Sequence, residues 1–437
     1  MRFDCCKLTT DGDCLSEAHL AVPLVDRSEA GTTTKRMHIL KSDGRTLSFS
    51  TIRLIWLAVA VSIMLPVCGV VLQAQWIADP GVDKLLQTSI DQVYNLEFDK
   101  AEGTLAEVVR LRPDHPAGFF FQAMVQWWRI LCNYDDASQD DLFFRKLEIV
   151  IDMCDKRLDK NPDDITALFF KGGSVGFRGR LRANRGNWIG AANDGVVALP
   201  LVQKAYTLDP NNADVLLGMG IYNYYAEVIP DRYPIVKPLM IFFPSGDRKK
   251  GLAQLELATK NANYARVEAK YFLMQNYYLY EKNFARALEI ARSLHASYPR
   301  NPLFHRYLGR TLVTNGLMDE ANAVFTEIEE LYVKKQTGYD LYDGREAYYY
   351  LGRYQFFAGR YPQALEYFYK SDELSRKLDK EGPSGFMSLA NLQVGMIYDL
   401  QGKREHALQQ YRKVLAMKEY ENSHRDAKKY TEKPYGK

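Results

Sequence analysis

The chain predicts an all-α fold, a solenoid of about eight helical hairpins preceded by one apolar N-terminal segment of transmembrane or signal type. Three observations predict it. Gly309, Gly352 and Gly395 each stand 12 residues before an alanine, at Ala321, Ala364 and Ala407. A second glycine stands 5 residues before each alanine (Gly316, Gly359, Gly402), and an aromatic 4 residues after it (Phe325, Phe368, Tyr411). Upstream, Leu54 to Leu72 reads LIWLAVAVSIMLPVCGVVL, and no charge falls between Leu54 and Ala78.

Each small residue has a physical role. Helices pack only about 8–10 Å apart, so a glycine and an alanine at a crossing keep the two axes close. The second glycine supplies a turn, where a positive φ is cheap. The aromatics fill the space between neighbouring hairpins. A fourth copy at Ala287 lacks the glycines but keeps Tyr278 and Pro299. The four alanines are spaced by 34, 43 and 43 residues. A period of 34 with small residues at fixed places in a helix pair is the tetratricopeptide signature. The longer steps predict longer connections or helices.

With 437 residues, 47% of them apolar and 13% aromatic, the chain has ample core for one continuous array. A net charge of +3 is too mild to argue for nucleic acid, and none is expected as a partner. The six cysteines show no metal-ligand spacing and no CxxC. Cys132 and Cys154 fall on adjacent helices at different distances from the turn and read as free buried thiols.

In chain order, residues 1–53 read as a disordered, basic-flanked region, with Met37 an alternative start after the aperiodic residues 1–36. Lys41, Arg45 and Arg53 lead into residues 54–78. That segment is long enough to cross a bilayer once, at roughly 20 residues. Pro66, Gly69 and Ala74 fit a cleaved signal instead, and a buried helix is the third reading; Val67 before Cys68 argues against a lipoprotein. The basic flank keeps the N-terminal end in the cytoplasm. The repeats are then expected outside it, as a single-pass membrane protein or one secreted to the periplasm of a Gram-negative cell.

Residues 82–418 are the array. Val82 to Arg112 forms the first hairpin, Pro116 to Cys132 with Asp140 to Lys160 the second, and Ile165 to Leu208 the third. The fourth starts at Ala213, with its first helix ending near Glu227. Pro230, Pro234, Pro238 and Pro244 exclude a regular helix through 228–245. Asp247 then takes the N-cap role, and hairpins five to eight run to Lys418. Residues 419–437 read as a charged tail, a frayed helix followed by disorder.

The segments FFKGGSVGFRGRL, LLGMGIYNYYAEVIP and GDRKKGLAQLELA, with the proline-rich apolar connection between the last two, resemble one family. It is the inclusion-body-clearance / tetratricopeptide-repeat-thirty-nine family of outer-membrane and cytosolic proteins. The residues that carry the resemblance are Gly220, Tyr222, Asn223, Pro230, Gly246, Asp247, Arg248, Gly251 and Leu252, within residues 165–260. The resemblance implies an all-helical adaptor and carries over no catalytic residue. The apolar N-terminal segment departs from the family.

No catalytic, cofactor-binding or metal-ligating residue is assigned, and the chain is expected not to be an enzyme. The seven histidines form no HExxH, and no GKS/T phosphate loop is present. GMGIYN and GGSVGFRG, without a preceding strand, read as close helix packing. The register of the repeated glycines places a concave groove at Phe272, Asn276 and Tyr280, at Arg306 and Arg310, at Glu346, Tyr349, Arg353, Phe356 and Phe357, and at Leu389, Leu392 and Met396. Asn276, Arg306, Arg310, Tyr349 and Arg353 are the candidate partner-binding residues. Arg306 and Arg310 share one helix face and can hold a carboxylate of an acidic or C-terminal peptide. Internal ion pairs are the competing reading. Arg178, Arg180, Arg182 and Arg185 read either as a site for anionic lipid or as partners of neighbours such as Asp194. The expected function is a non-catalytic scaffold or adaptor that binds a protein or peptide partner on its concave face, with the membrane met through residues 54–78. The alternative is a structural component of an envelope assembly or secretion machine.

Overall fold

The computed structural model describes residues 77–232, 237–238, 240–241, 243–380 and 382–437. All of these fall in one compact unit. Among them are seventeen helices and no strand. Sixteen of the helices pair as eight hairpins: α1 (Pro80–Tyr94) with α2 (Phe98–Leu111), α3 (Pro116–Cys132) with α4 (Asp140–Leu158), α5 (Ile165–Asn184) with α6 (Trp188–Leu208), and α7 (Ala213–Arg232) with α8 (Arg248–Asn261). The other four are α9 (Arg266–Leu279) with α10 (Phe284–Ser297), α11 (Pro302–Thr314) with α12 (Met318–Val333), α13 (Leu341–Phe357) with α14 (Tyr361–Leu378), and α15 (Gly385–Leu400) with α16 (Arg404–Leu415). The seventeenth, α17 (Ser423–Glu432), packs on the last hairpin.

Local sequence sets the helix starts. Asp79, Asp164, Asn187, Asp247, Asn283, Asn301 and Ser384 each accept a hydrogen bond from a first-turn backbone N–H, satisfying donors that have no partner within the helix. Asp340 and Asp343 form a reciprocal capping box at the start of α13.

The repeated small residues act as a set. A Cβ added at Gly309, Gly352 or Gly395 would lie 2.6, 2.8 or 2.5 Å from the ring of Phe325, Phe368 or Tyr411 respectively. The glycine of each first helix is therefore the seat of the aromatic from its own second helix, with the buried alanine one turn before that ring. Gly316, Gly359 and Gly402 make the turns, with φ of +73°, +72° and +72°. The longer repeat steps come from both helices of the pair and from the connections: second helices have 16 residues in α12 and 18 in α14 against 14 in α10, and first helices 17 in α13 and 16 in α15 against 13 in α11.

The closest helix approach lies in hairpin four. A Cβ at Gly251 would fall 2.6 Å from the Tyr224 backbone nitrogen and 2.9 Å from the Gly220 carbonyl oxygen. Neither obstacle can rotate away. Gly251→Ala is expected to cost about 3 kcal/mol, the upper end of ordinary overpacking. Gly103→Ala, in α2, meets nothing within 4 Å and is expected to be neutral or slightly stabilising. Urea unfolding of the two variants checks this, and equal midpoints would remove the close approach.

Two expectations about this region change. The first helix of hairpin four does not end near Glu227 but continues through Pro230 to Arg232. Pro230 removes the one backbone bond that its own N–H would give to the Ala226 carbonyl, and the helix ends two residues later. The tail at 419–437 is not a disordered end. Arg404 donates to the Tyr430 and Thr431 carbonyls at 2.8 and 2.6 Å, and the Tyr435 N–H donates to Asp399 at 2.9 Å. The few apolar residues of this charged stretch, Tyr420, Ala427, Tyr430 and Tyr435, are those that dock.

The array also folds back on itself. Asn301 donates to the Tyr94 carbonyl at 3.0 Å, the Tyr298 hydroxyl to Asp91 at 2.8 Å, and Gln87 to the Asn263 side chain at 2.9 Å. Farther along, the Tyr342 hydroxyl donates to Asp135 at 2.6 Å. Trp128, projecting from α3, sits edge-on to Tyr94 and Phe304, with ring centroids 5.2 and 5.8 Å apart. Hairpin one and α3 thus pack against the start of α11 and the connections that precede α9 and α11.

Of the predicted membrane or signal segment 54–78, residues 54–76 lie outside the described residues. Its last two belong to the array: Ile77 is fully buried, and Ala78 leads directly into the cap of α1. Among the described residues no helix is long and apolar enough to cross a membrane. The two cysteines here are free thiols, and burial pushes that of Cys154 up to about 12.

Candidate functional site

The predicted groove residues do line one run of first helices, but most of them are closed. Asn276 is fully buried and accepts from the Tyr225 hydroxyl at 2.7 Å. Arg306 lies 3.1 Å from the Asp343 carboxylate. Arg310, 3% exposed, makes a two-point ion pair with Glu346. Burial favours losing its proton, but Glu346 outweighs that and holds the guanidinium well above its usual range. Tyr349 is buried edge-on to Phe386 at 5.2 Å. Leu389, Leu392 and Met396 are core residues, and Phe356 packs on Tyr361 and Tyr435.

The paired arginines are thus engaged internally, and the carboxylate clamp expected of Arg306 and Arg310 is filled by this chain's own Asp343 and Glu346. The groove positions were assigned for an open inner face, whereas side chains of neighbouring hairpins, Tyr225, Asp343, Glu346 and Phe386 among them, close most of them. Arg353 and Phe357 differ. The Arg353 guanidinium lies over the rings of Tyr349, Tyr350 and Phe357 at 5.8–6.0 Å, and Phe357 is 56% exposed.

The arginine run of α5 is likewise engaged. Arg178 and Arg182 both pair with Asp194 at 2.7 Å, and Arg185 pairs with Asp140 at 2.6 Å. Of the two readings of this run, the structure supports ion pairing, including the partner Asp194 read from the sequence. Arg180 departs from the others. Its guanidinium sits over Trp127 and Phe272, 5.0 and 4.8 Å from their centroids, and it faces inward.

What it faces is a cavity of about 570 Å³ between α1, α3, α5, α6, α7 and α9. Its walls are mainly apolar, with Phe120, Phe121, Trp128, Phe177, Ile221 and Phe272 among the larger side chains. The fold makes this space with glycine. On α5, Gly172 and Gly179 pack against α6, where a Cβ would meet Val202 or Asp194 at 3.0 Å. Gly173 and Gly176 point the other way: a Cβ at Gly173 meets only Phe120, at 3.5 Å, and one at Gly176 meets nothing within 4 Å. Phe169, Gly173, Gly176, Arg180 and Asn184 recur every three or four residues, so they share one helix face, and all line the cavity.

One wall is polar. The Tyr94 hydroxyl donates to Glu268 Oε1 at 3.2 Å, while Glu268 Oε2 has no hydrogen-bond partner among the described residues. The Asn184 side-chain amide has none either. Glu268 is 7% exposed. Burial pushes its carboxyl above the usual carboxylate range, against the pull of the Arg180 charge and the Tyr94 hydrogen bond. Sequence reasoning read the glycine-rich stretches as close packing. That holds for Gly172, Gly179, Gly218 and Gly220, but not for Gly173 and Gly176. The three-to-four spacing of those two glycines with Phe169 and Arg180 was the available signal for the cavity. Glu268 and Tyr94 had none, because their meeting depends on the fold-back.

In comparison with known proteins, residues 276–332 match the tetratricopeptide repeat family. They comprise the end of α9 with α10, α11 and α12. None of the curated proteins matches the chain significantly. Among solved structures, the human IFIT1 dimer with m7Gppp-AAAA is similar at 14% identity and a TM-score of 0.38, over 82% of this chain and 88% of that one. Yeast Tom70 is similar at 12% identity and 0.33, over 78% and 86%. The C-terminal part of a TPR repeat-containing protein from Cytophaga hutchinsonii is similar at 14% and 0.32, over 67% and 95%.

Proposed function

We propose that the protein is a non-catalytic helical-repeat scaffold that engages a protein partner at its seventh hairpin, and that residues 54–78 anchor it to a membrane or direct its export, leaving the repeats outside the cytoplasm. The tetratricopeptide match and the eight-hairpin architecture support the scaffold. The resemblance of residues 165–260 to the inclusion-body-clearance / tetratricopeptide-repeat-thirty-nine family fits an adaptor of this kind.

One observation carries the choice of hairpin. Among the described residues no carboxylate pairs with the groove arginine Arg353: three rings surround it, its Nε lacks a hydrogen-bond partner there, and exposed Phe357 stands beside it. A cation framed by aromatic surface suits a peptide that carries an acidic residue next to an apolar one. A photo-crosslinking residue placed at Phe357 is expected to give one adduct of defined mass in the native host. The same group at buried Asn276 is expected to give none, and Arg353→Ala is expected to weaken the Phe357 adduct about tenfold. Equal labelling at both positions would remove this reading.

A second reading, a structural part of an envelope assembly, is favoured by α6. That helix exposes Ile189, Val196 and Val197 along one side. Co-purification of a stoichiometric complex separates this reading from weak peptide capture.

A further inference from the structure

We infer that the cavity between α1, α3, α5, α6, α7 and α9 is a binding site for a neutral long-chain ligand whose head both donates and accepts hydrogen bonds, as a hydroxyl does. The alkyl chain lies along the glycine-lined face of α5 and the head at Asn184 and Glu268. Close-packed interiors hold few voids larger than a water molecule, so a space of about 570 Å³ is no ordinary packing defect. It falls within the range of roughly 300–1,000 Å³ typical of small-molecule sites. The space is also long. Phe169, Gly173, Gly176, Arg180 and Asn184 line it along most of α5, and at a rise of about 1.5 Å per residue that stripe runs about 22 Å. Gly173 and Gly176 keep its middle open, since a Cβ there meets only Phe120 at 3.5 Å or nothing within 4 Å. Walls that include Phe121, Trp128, Ile221 and Phe272 suit an extended hydrocarbon.

Two buried side chains in the wall select the head. Asn184, 4% exposed, leaves both its Nδ2 donor and its Oδ1 acceptor without partners among the described residues, and Glu268, 7% exposed, leaves Oε2. A buried polar group left unmatched is costly, and a ligand that pairs with it recovers the loss. Asn184 can be matched by an acceptor at Nδ2 and by a donor at Oδ1. Glu268 Oε2 accepts when the carboxyl is ionised and can donate when it is protonated. A hydroxyl donates and accepts through one atom, so it matches both residues whichever form Glu268 takes. Such a head needs no charge and no bond from Arg180, whose guanidinium is seated over Trp127 and Phe272. A carboxylate or an ether only accepts, which leaves the Asn184 side-chain oxygen unmatched. A quaternary ammonium does neither, and an alkane leaves all three atoms bare.

The test uses the purified full chain after delipidation and measures the tritiated 1-hexadecanol it retains in equilibrium gel filtration. Saturable one-to-one binding is expected. Unlabelled 1-hexadecanol should displace the tracer at least tenfold better than hexadecyl methyl ether, which keeps the oxygen but has no O–H. It should also displace the tracer at least tenfold better than palmitate. Gly176→Leu puts an alkyl side chain into open space on a helix. It should keep or raise the unfolding midpoint and lose at least tenfold in tracer affinity. Asn184→Leu provides an independent readout: the preference for the alcohol over the ether should fall to about threefold or less. Non-saturable binding, a folded Gly176→Leu variant that binds as tightly as the parent, an unchanged preference in Asn184→Leu, or the ether or palmitate competing as well as the alcohol would each overturn the assignment.

Discussion

Replacing Arg310 with methionine is expected to lower stability by about 3–5 kcal/mol, the range for removing one partner of a buried ion pair. The two side chains are 4% and 2% exposed, so the Glu346 carboxylate would remain in the core with no cation and little water. Most of the loss is the desolvation of an unmatched charge, not the strength of the original pair. The double variant Arg310→Met/Glu346→Met is therefore expected to recover most of it, since apolar side chains of similar length replace both charges. Urea unfolding of the parent, the single variant and the double variant forms the cycle that decides. A single variant within about 1 kcal/mol of the parent would mean that Glu346 reaches solvent or another cation.

The second large effect is a loss of stability in mild acid through His305. Its imidazole is fully buried and stacked on His295 with ring centroids 4.4 Å apart, and Nδ1 lies 2.9 Å from the Tyr339 hydroxyl. Burial, and then the neighbouring His295, push its pKa down to about 3. Glu327 lies 3.6 Å from Nε2, but it is more than half exposed, so water screens its pull and burial prevails. In the unfolded chain the pKa is about 6.5. Between those two values the unfolded state binds the proton and the folded state does not. The contribution is thus complete above about pH 6.5 and is lost as pH falls toward 3, at about 1.4 kcal/mol per pH unit. His295, also shifted down by burial, acts in the same direction. Denaturation of the parent and of His305→Gln at pH 7, 6 and 5 measures the slope. The two curves should converge as pH falls, and parallel curves would show that His305 is already protonated in the fold.

What was legible in the sequence follows from how far each contact reaches along the chain. The hairpins were readable because Gly309 and Phe325, or Gly395 and Tyr411, are 16 residues apart and recur. The turn glycines were readable because positive φ selects their residue type. The closing of the array was not. It rests on single contacts such as Asn301 with Tyr94, separated by 207 residues, and a repeat pattern specifies only how one hairpin meets the next. The candidate groove failed for a different reason: its positions were numbered for an inner face open to solvent, and partners from neighbouring hairpins such as Asp343, Glu346 and Phe386 fill it. The pairing of Arg310 with Glu346 was half visible, because both fell on groove positions of adjacent hairpins. The cavity was hidden because Gly173 and Gly172 look alike in sequence, although one meets open space and the other an adjacent helix.

The return of hairpin one onto hairpins five and six alters how the molecule comes apart. In an open stack the terminal unit frays first, and each loss leaves the next unit exposed. Here the N-terminal unit has a second neighbour far along the chain, so it cannot peel away without also breaking the side-chain links to residues 263–301. The amides of the first six hairpins should then exchange with solvent through a shared, high-energy opening, with the easier local openings confined to the C-terminal end.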